Sequence, residues 1–281
     1  MSILVFGKTG QLARELQARA PVLSLGREDV DLADPASCAA AIATREPEAV
    51  INAAAYTAVD QAEKDEELAI RINGDAPTAM GRACAAKRIP FVQVSTDYVF
   101  DGSGTRPWCP EDEPMPISVY GRSKLAGELG VARAGGVYAI LRTSWVFSPY
   151  GKNFVEAMLR LGAERDQLDI VADQIGGPTP AGSLADACLA ITRQLKREPN
   201  TSGIYHYSGN PDVSWADFAR EIFAQANITC EIRNIGTADY PTPARRPQNS
   251  RLDCSTLKAV FGIERPDWRV DLKQIINEEL R

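Results

Sequence analysis

The chain is poor in the residues that metal and thiol chemistry require. It has one histidine, His206, in 281 residues, and its six cysteines, at 38, 84, 109, 188, 230 and 254, form no C-x-x-C pair. That argues against a zinc site and a disulfide framework, and all six read as small buried hydrophobes of a protein kept in the reducing cytoplasm. A positive surplus is lacking too. Lys plus Arg number 31 against 37 Asp plus Glu, a net charge of −6, so no basic face awaits a phosphate backbone and nucleic acid is not an expected partner. Nowhere do about 18 apolar residues run uninterrupted, and the first apolar run, Ile3 to Phe6, starts without a basic n-region. The expectation is a soluble, unprocessed chain with no membrane partner. Repeats and low-complexity tracts are absent. What remains is 44% hydrophobic and 24% charged, enough for one large domain or two intimately joined ones with a sizeable core.

Short apolar runs alternate with amphipathic stretches in the first half, and residues 2–6, 22–25, 49–53, 90–95 and 137–142 read as strands. Strands buried on both faces, each followed by a helix-sized segment, are the βαβ signature of a parallel sheet. The fold class expected is α/β, a Rossmann-type doubly wound parallel sheet with a smaller mixed α/β lobe. Residues 101–116 hold four prolines and two glycines and read as a long surface loop. Beyond Val146 the pattern changes: 153–161, 183–195 and 215–226 read as helices, 204–207 as a strand of the smaller region, 240–247 as a Pro/Arg-rich segment and 270 onward as a last helix. Residues 1–150 are therefore expected to form a dinucleotide-binding half, with a return near 176–200, and residues 151–281 mainly a substrate-binding lobe interleaved with it.

Gly7-Lys8-Thr9-Gly10-Gln11-Leu12-Ala13 directly follows the first strand and opens the first helix. Gly7 permits a tight turn, and Gly10 lets the backbone approach a pyrophosphate at the helix N-terminus, where free N–H groups and the dipole favour an anion. The plain alternative is a glycine turn ending an ordinary strand. At the end of the second strand stands Arg27, which would pair with the 2′-phosphate of NADPH; Glu28 and Asp29 beside it would favour NADH. Ala53, Ala54 and Ala55 leave room at the end of the third strand, although close helix packing would ask for the same alanines.

The fourth strand delivers Ser95-Thr96-Asp97, and 24 positions after Thr96 comes Tyr120-x-x-x-Lys124 in a helical stretch. On a helix, i and i+4 share a face. Such a pair arises by chance about 0.2 times in a chain with this many Tyr and Lys, so the pair alone is weak and the conjunction carries the reading. A ketone becoming an alkoxide needs a proton as hydride arrives. Tyrosine becomes a useful acid only when a neighbouring cation stabilises its phenolate, and Lys124 would supply that charge. Thr96 would hydrogen-bond the carbonyl oxygen.

With these motifs the chain resembles the extended short-chain dehydrogenases/reductases. Phe6 to Leu12, Asn52 to Asp60, Ser95 to Gly102, Leu141 to Phe147 and Arg246 to Leu252 narrow the resemblance, across essentially the whole chain, to the dTDP-4-dehydrorhamnose reductases. The resemblance implies hydride transfer from NADPH, or NADH, to the C4 ketone of a dTDP-linked 4-keto-6-deoxy sugar, with Tyr120 as proton donor. It puts Gly7, Gly10, Gln11, Leu12, Arg27, Asp31, Leu32, Ala54, Ala55, Thr57, Tyr120 and Lys124 at the cofactor. Thr96, Asp97, Trp145, Asn153, Gln174 and Arg246 would lie toward the sugar nucleotide; for Trp145 the plain alternative is a core tryptophan. Some members join subunits as homodimers through acidic residues and Mg²⁺, and Glu15 matches one such position; an exposed helix carboxylate is the alternative there, and metal and oligomer stay open. Two rivals share the scaffold: a non-catalytic regulatory subunit like the β subunit of methionine adenosyltransferase, and a nucleotide-sugar epimerase.

Overall fold

The computed structural model describes residues 1–279. Five strands fall where the apolar runs lie: β1 (Ile3–Phe6), β2 (Val22–Leu25), β3 (Ala49–Asn52), β4 (Phe91–Thr96) and β5 (Tyr138–Thr143). With Gly203–His206 they make one six-stranded sheet, all neighbours parallel, in the order Gly203–His206, β5, β4, β3, β1, β2. The strand read from residues 204–207 thus belongs to the main sheet and not to the smaller region. The reason is the helix before it. Ala181–Arg197 buries Leu184, Cys188, Ile191 and Leu195 in the same cluster as β1, β4 and β5 residues, so the chain re-emerges beside β5.

Alternate residues of each strand serve opposite faces. Ile3 and Val5 of β1 pack with Leu12 and Leu16 of α1 (Gln11–Arg19) and with Ala181–Arg197. Leu4 and Phe6 pack on the other side with Ile42 of α2 (Pro35–Arg45), Met80 of the helix Ala76–Lys87 and Val131 of the helix Val119–Arg133. A separate apolar cluster lies in the second half, where Phe147, Val155, Phe218, Trp268 and Ile276 join three helices, Phe154–Glu164, Trp215–Ala226 and Trp268–Glu279. A parallel pair of strands, Gln167–Val171 and Glu231–Ile235, flanks it. Its half-exposed, charge-interrupted sequence hides it from a search for apolar runs.

The Pro-rich stretch is a loop, but a pinned one. Trp108 exchanges backbone bonds with Arg251 and Asp253 at 2.9 and 2.8 Å, and its indole donates to the Asn249 carbonyl at 3.0 Å. Phe100 stacks on it at 4.6 Å. All six cysteines are free; five are buried as expected, whereas Cys109 in this loop is half-exposed. Among the described residues no helix is long and apolar enough to cross a membrane.

Candidate active site

The turn after β1 is built as its sequence suggests. Gly7 has φ +117°, a conformation side chains rarely adopt, and its amide donates to the Leu25 carbonyl at 2.9 Å. Gly10 is the N-cap of α1, and a Cβ there would meet nothing within 4 Å. The helix N-terminus is therefore open to an anion, and the residues present fit a dinucleotide pyrophosphate. Leu12 is buried beneath the turn; Gln11 accepts a hydrogen bond from Ser148 at 3.0 Å, linking the turn to the segment after β5. Arg27 is exposed at the end of β2, Asp31 caps its own turn through the Ala33 amide at 2.8 Å, and Leu32 packs on the sheet core. Sequence reasoning missed Lys8. Its ammonium meets Glu28 at 2.5 Å and Asp29 at 3.9 Å, so both carboxylates beside Arg27 are drawn to a cation in the glycine turn. The pairing raises the Lys8 pKa and lowers that of Glu28, in both through their mutual hydrogen bond first.

Ala54, Ala55 and Thr57 follow β3 over a sheet edge that also carries Thr96 and Thr143, which pair in register at the ends of β4 and β5. Helix Val119–Arg133 brings Tyr120 and Lys124 to that edge. Ser118 caps it through the Gly121 amide at 3.1 Å, and a Cβ on Gly121 would come within 2.2 Å of the Tyr98 carbonyl oxygen, so only glycine lets the first turn sit this close. Lys124 donates to the Val94 carbonyl at 2.7 Å. Burial pulls its pKa down to about 8, with Glu128 opposing.

Tyr120 departs from expectation. Its phenol is pushed up to about 12, by burial first and then by the Asp97 carboxylate, with the Thr96 hydroxyl opposing. The expected depression by Lys124 does not appear: the ammonium is turned to the Val94 carbonyl, while burial and the Asp97 charge act on the phenol. Asp97 is itself raised to about 6 by burial. It accepts from Thr96 Oγ1 at 3.1 Å, while its Oδ2, like Thr143 Oγ1 and Ser95 Oγ, is buried with no hydrogen-bond partner. Buried polar atoms without partners at one sheet edge fit a polar ligand.

A cavity of about 760 Å³ adjoins this edge, lined among others by Tyr98, Phe154, Gln174, Trp215 and Arg246. Trp145, at φ +50°, stacks on Trp215 with ring centroids 3.6 Å apart. It is not the core tryptophan of the plain alternative; that place is taken by Trp268. Gln174 donates to Thr237 at 3.1 Å, and Arg246 is held by Asp60 at 2.8 and 3.1 Å. Asn153 is held locally: its Oδ1 caps the helix Phe154–Glu164 through the Val155 and Glu156 amides, and its Nδ2 donates to the Ser148 and Gly151 carbonyls. The hydrogen-bond capacity of its amide is met within this loop and helix start. Glu15 is not the exposed helix carboxylate of the plain alternative. It is only 8% exposed, paired with Arg19 one turn on, which also meets Asp186 at 3.2 Å. The helix Ala181–Arg197 packed over α1 covers it. No group of three or more His, Cys, Asp and Glu placed to hold a metal ion occurs among the described residues.

Asn73 also escaped sequence reasoning. It lies in a π-helical turn, Arg71–Asp75, exchanges bonds with the Tyr56 backbone at 2.8 and 3.0 Å, and donates to Ser123 Oγ at 2.9 Å. Ser123 in turn donates to the Tyr120 carbonyl at 2.8 Å. The loop after β3 is thereby tied to the Tyr120 helix; the one hint in the sequence is Asn73-Gly74, a pair of poor helix formers inside a helical run.

The chain matches the family model described as the RmlD substrate binding domain along residues 1–281. A dTDP-4-dehydrorhamnose reductase of Sinorhizobium fredii is 44% identical to it, with 98% of this chain and 97% of that one covered. The chain belongs to the dTDP-4-dehydrorhamnose reductase family. Two solved family structures share its fold over nearly their whole length. That of Clostridium acetobutylicum superposes with a TM-score of 0.93 at 36% identity, covering 100% of both chains. That of Bacillus anthracis, a complex with NADP, gives 0.91 at 32% identity, covering 99% of both.

Proposed function

We propose that this protein reduces the C4 ketone of dTDP-4-dehydro-L-rhamnose to dTDP-L-rhamnose in the cytoplasm, with NADPH, or NADH, as hydride donor. The observation that carries the reading is that the helix bearing Tyr120 and Lys124 lies against the end of β4 that carries Thr96, with Lys124 on the Val94 carbonyl and Tyr120 edge to face with Tyr98, which also lines the cavity. Full-length likeness to the reductase family supports it.

The nicotinamide, when bound, supplies the hydride. Gly7 and Gly10 would hold the pyrophosphate at the head of α1, and Arg27 and Lys8 would read the adenosine side. Thr96 hydrogen-bonds the ketone oxygen, and Tyr120 gives it the proton that neutralises the developing alkoxide. Lys124 favours the phenolate left behind and would hold the nicotinamide ribose. Trp145, Gln174 and Arg246 line the way to the sugar nucleotide in the second half, whose binding energy orients the ring. The division of labour is a sheet half, residues 1–150 with the return through His206, for the cofactor, and the remainder for the substrate.

The deciding assay follows NADPH consumption with dTDP-4-dehydrorhamnose generated in place. Turnover with the dTDP-linked sugar and little with the free keto sugar is expected. NADPH binding without oxidation would transfer the case to a regulatory subunit, and tightly held NAD⁺ in the purified protein to an epimerase.

A further inference from the structure

The helix that carries Tyr120 and Lys124 places Glu128 on the same face, one turn further on. Glu128 is 2% exposed and grips Arg142 of β5, itself 1% exposed, with Nε at 3.0 and 3.2 Å from its two oxygens and Nη2 at 2.7 Å. Arg142 stands in register with Ser95, next to Val94, whose carbonyl holds Lys124. Successive turns of the helix are thus fastened to adjacent strands, Lys124 to β4 and Glu128 to β5.

The rest of the guanidinium reaches the pinned loop. Nη1 donates to the Pro110 carbonyl at 3.3 Å and faces His206 Nε2 at 3.4 Å. His206 Nδ1 lies 2.9 Å from the Trp108 carbonyl, which sets this nitrogen as the N–H donor and leaves Nε2 to accept from Arg142. Arg142 also sits 5.0 Å from the Phe100 ring centroid, and Trp108 stacked on Phe100 donates to Asn249, close behind Arg246. A buried ion pair is poor value as mere stabiliser, since well-packed apolar residues serve as well. This one gives each of the three guanidinium nitrogens a partner, between the acid-bearing helix and the segment that leads to the cavity.

The geometry points to Arg142 as a positioning residue for the reduction: through Glu128 it fixes the Tyr120–Lys124 face against the ends of β4 and β5, and it neutralises Glu128 so that the Lys124 ammonium stays free for the phenolate. The inference rests on the proposed function. Without Arg142 the Glu128 carboxylate would lie buried one turn from Lys124 with that ammonium as its nearest cation on the helix, and the helix would lose its anchor on β5.

The test compares the full wild-type chain with two variants. Arg142→Lys keeps the charge and loses the planar fork; the paired Glu128→Gln/Arg142→Met removes both charges and strands neither. Rates are expressed per NADPH-binding site, counted by fluorescence titration, so unfolded material drops out. We expect kcat per site to fall about 10- to 100-fold in each, with KM for the sugar nucleotide within about threefold, since misplacing the acid by about an ångström costs rate more than binding. Unchanged kcat per site, whatever happens to yield or melting temperature, overturns the proposal. So does failure of both variants to form NADPH-binding sites, which makes the pair a folding determinant; if only the paired variant fails, Arg142→Lys decides. A wild-type chain that never oxidises NADPH with the dTDP-linked sugar overturns the proposed function instead.

Discussion

Lys124 donates to the carbonyl of Val94, two residues before Thr96 on the same strand, at 2.7 Å. The cation is thereby parked at the sheet edge, one helical turn from a phenol that burial and Asp97 push up to about 12. The fold holds its acid in the protonated form, with a cation built in one helical turn away.

Tyr120→Phe keeps the ring and removes only the hydroxyl. NADPH affinity should stay within about twofold, while kcat should fall by about 10²–10⁴, the usual worth of a general acid. Steady-state kinetics beside a fluorescence titration measure both, and near-normal turnover would remove Tyr120 from the reaction.

Lys124→Met should lower kcat and weaken NADPH together. It should also raise thermal stability at pH 7. The folded pKa, about 8, lies below the unfolded value of about 10.4, so the buried ammonium costs stability below pH 8 and that cost is relieved as pH rises from 8 to 10.4. The melting-temperature advantage of the variant should therefore shrink across that window; an advantage independent of pH would contradict the buried charge.

Asp97 carries the opposite sign. Its folded pKa of about 6 is above the unfolded value of about 3.9, so its stabilising contribution is complete below pH 3.9 and lost as pH rises through 6. Relative to wild type, Asp97→Asn should gain stability between pH 4 and 7 and plateau above it. Melting curves at several pH values read this directly. A flat difference would mean that Asp97 is solvated.

On the adenosine side, Arg27→Ala should raise KM for NADPH more than for NADH, because only NADPH carries the 2′-phosphate. Glu28→Gln should act the other way, improving NADPH relative to NADH several-fold, since it removes a carboxylate and frees Lys8 from its 2.5 Å pairing. Equal effects on both cofactors would return the three side chains to a solvated surface.

The sheet was legible because β1 and β3 are buried on both faces and must be written largely as apolar runs, Ile3 to Phe6 and Ala49 to Ile51. The glycine turn was legible because backbone geometry restricts the residue type at Gly7. Tyr120 and Lys124 were legible because one helix fixes their spacing. Asn73, Lys8 and the Glu128–Arg142 pair were not, since each acts through a partner at least 14 residues away or through an ordinary-looking helix position. Asn153 and Glu15 show the converse, polar side chains whose obligations are met by local caps and ion pairs. By itself the sequence determined which strands are central, where the chain turns tightly and which side chains share a helix face, because these follow from backbone stereochemistry and short-range periodicity. Tertiary structure alone decided that Gly203–His206 joins the main sheet, that Lys124 reaches Val94 and that Tyr120 meets Tyr98 edge to face. Such pairings depend on where separate elements come to rest against one another, and no local pattern encodes a distance between them.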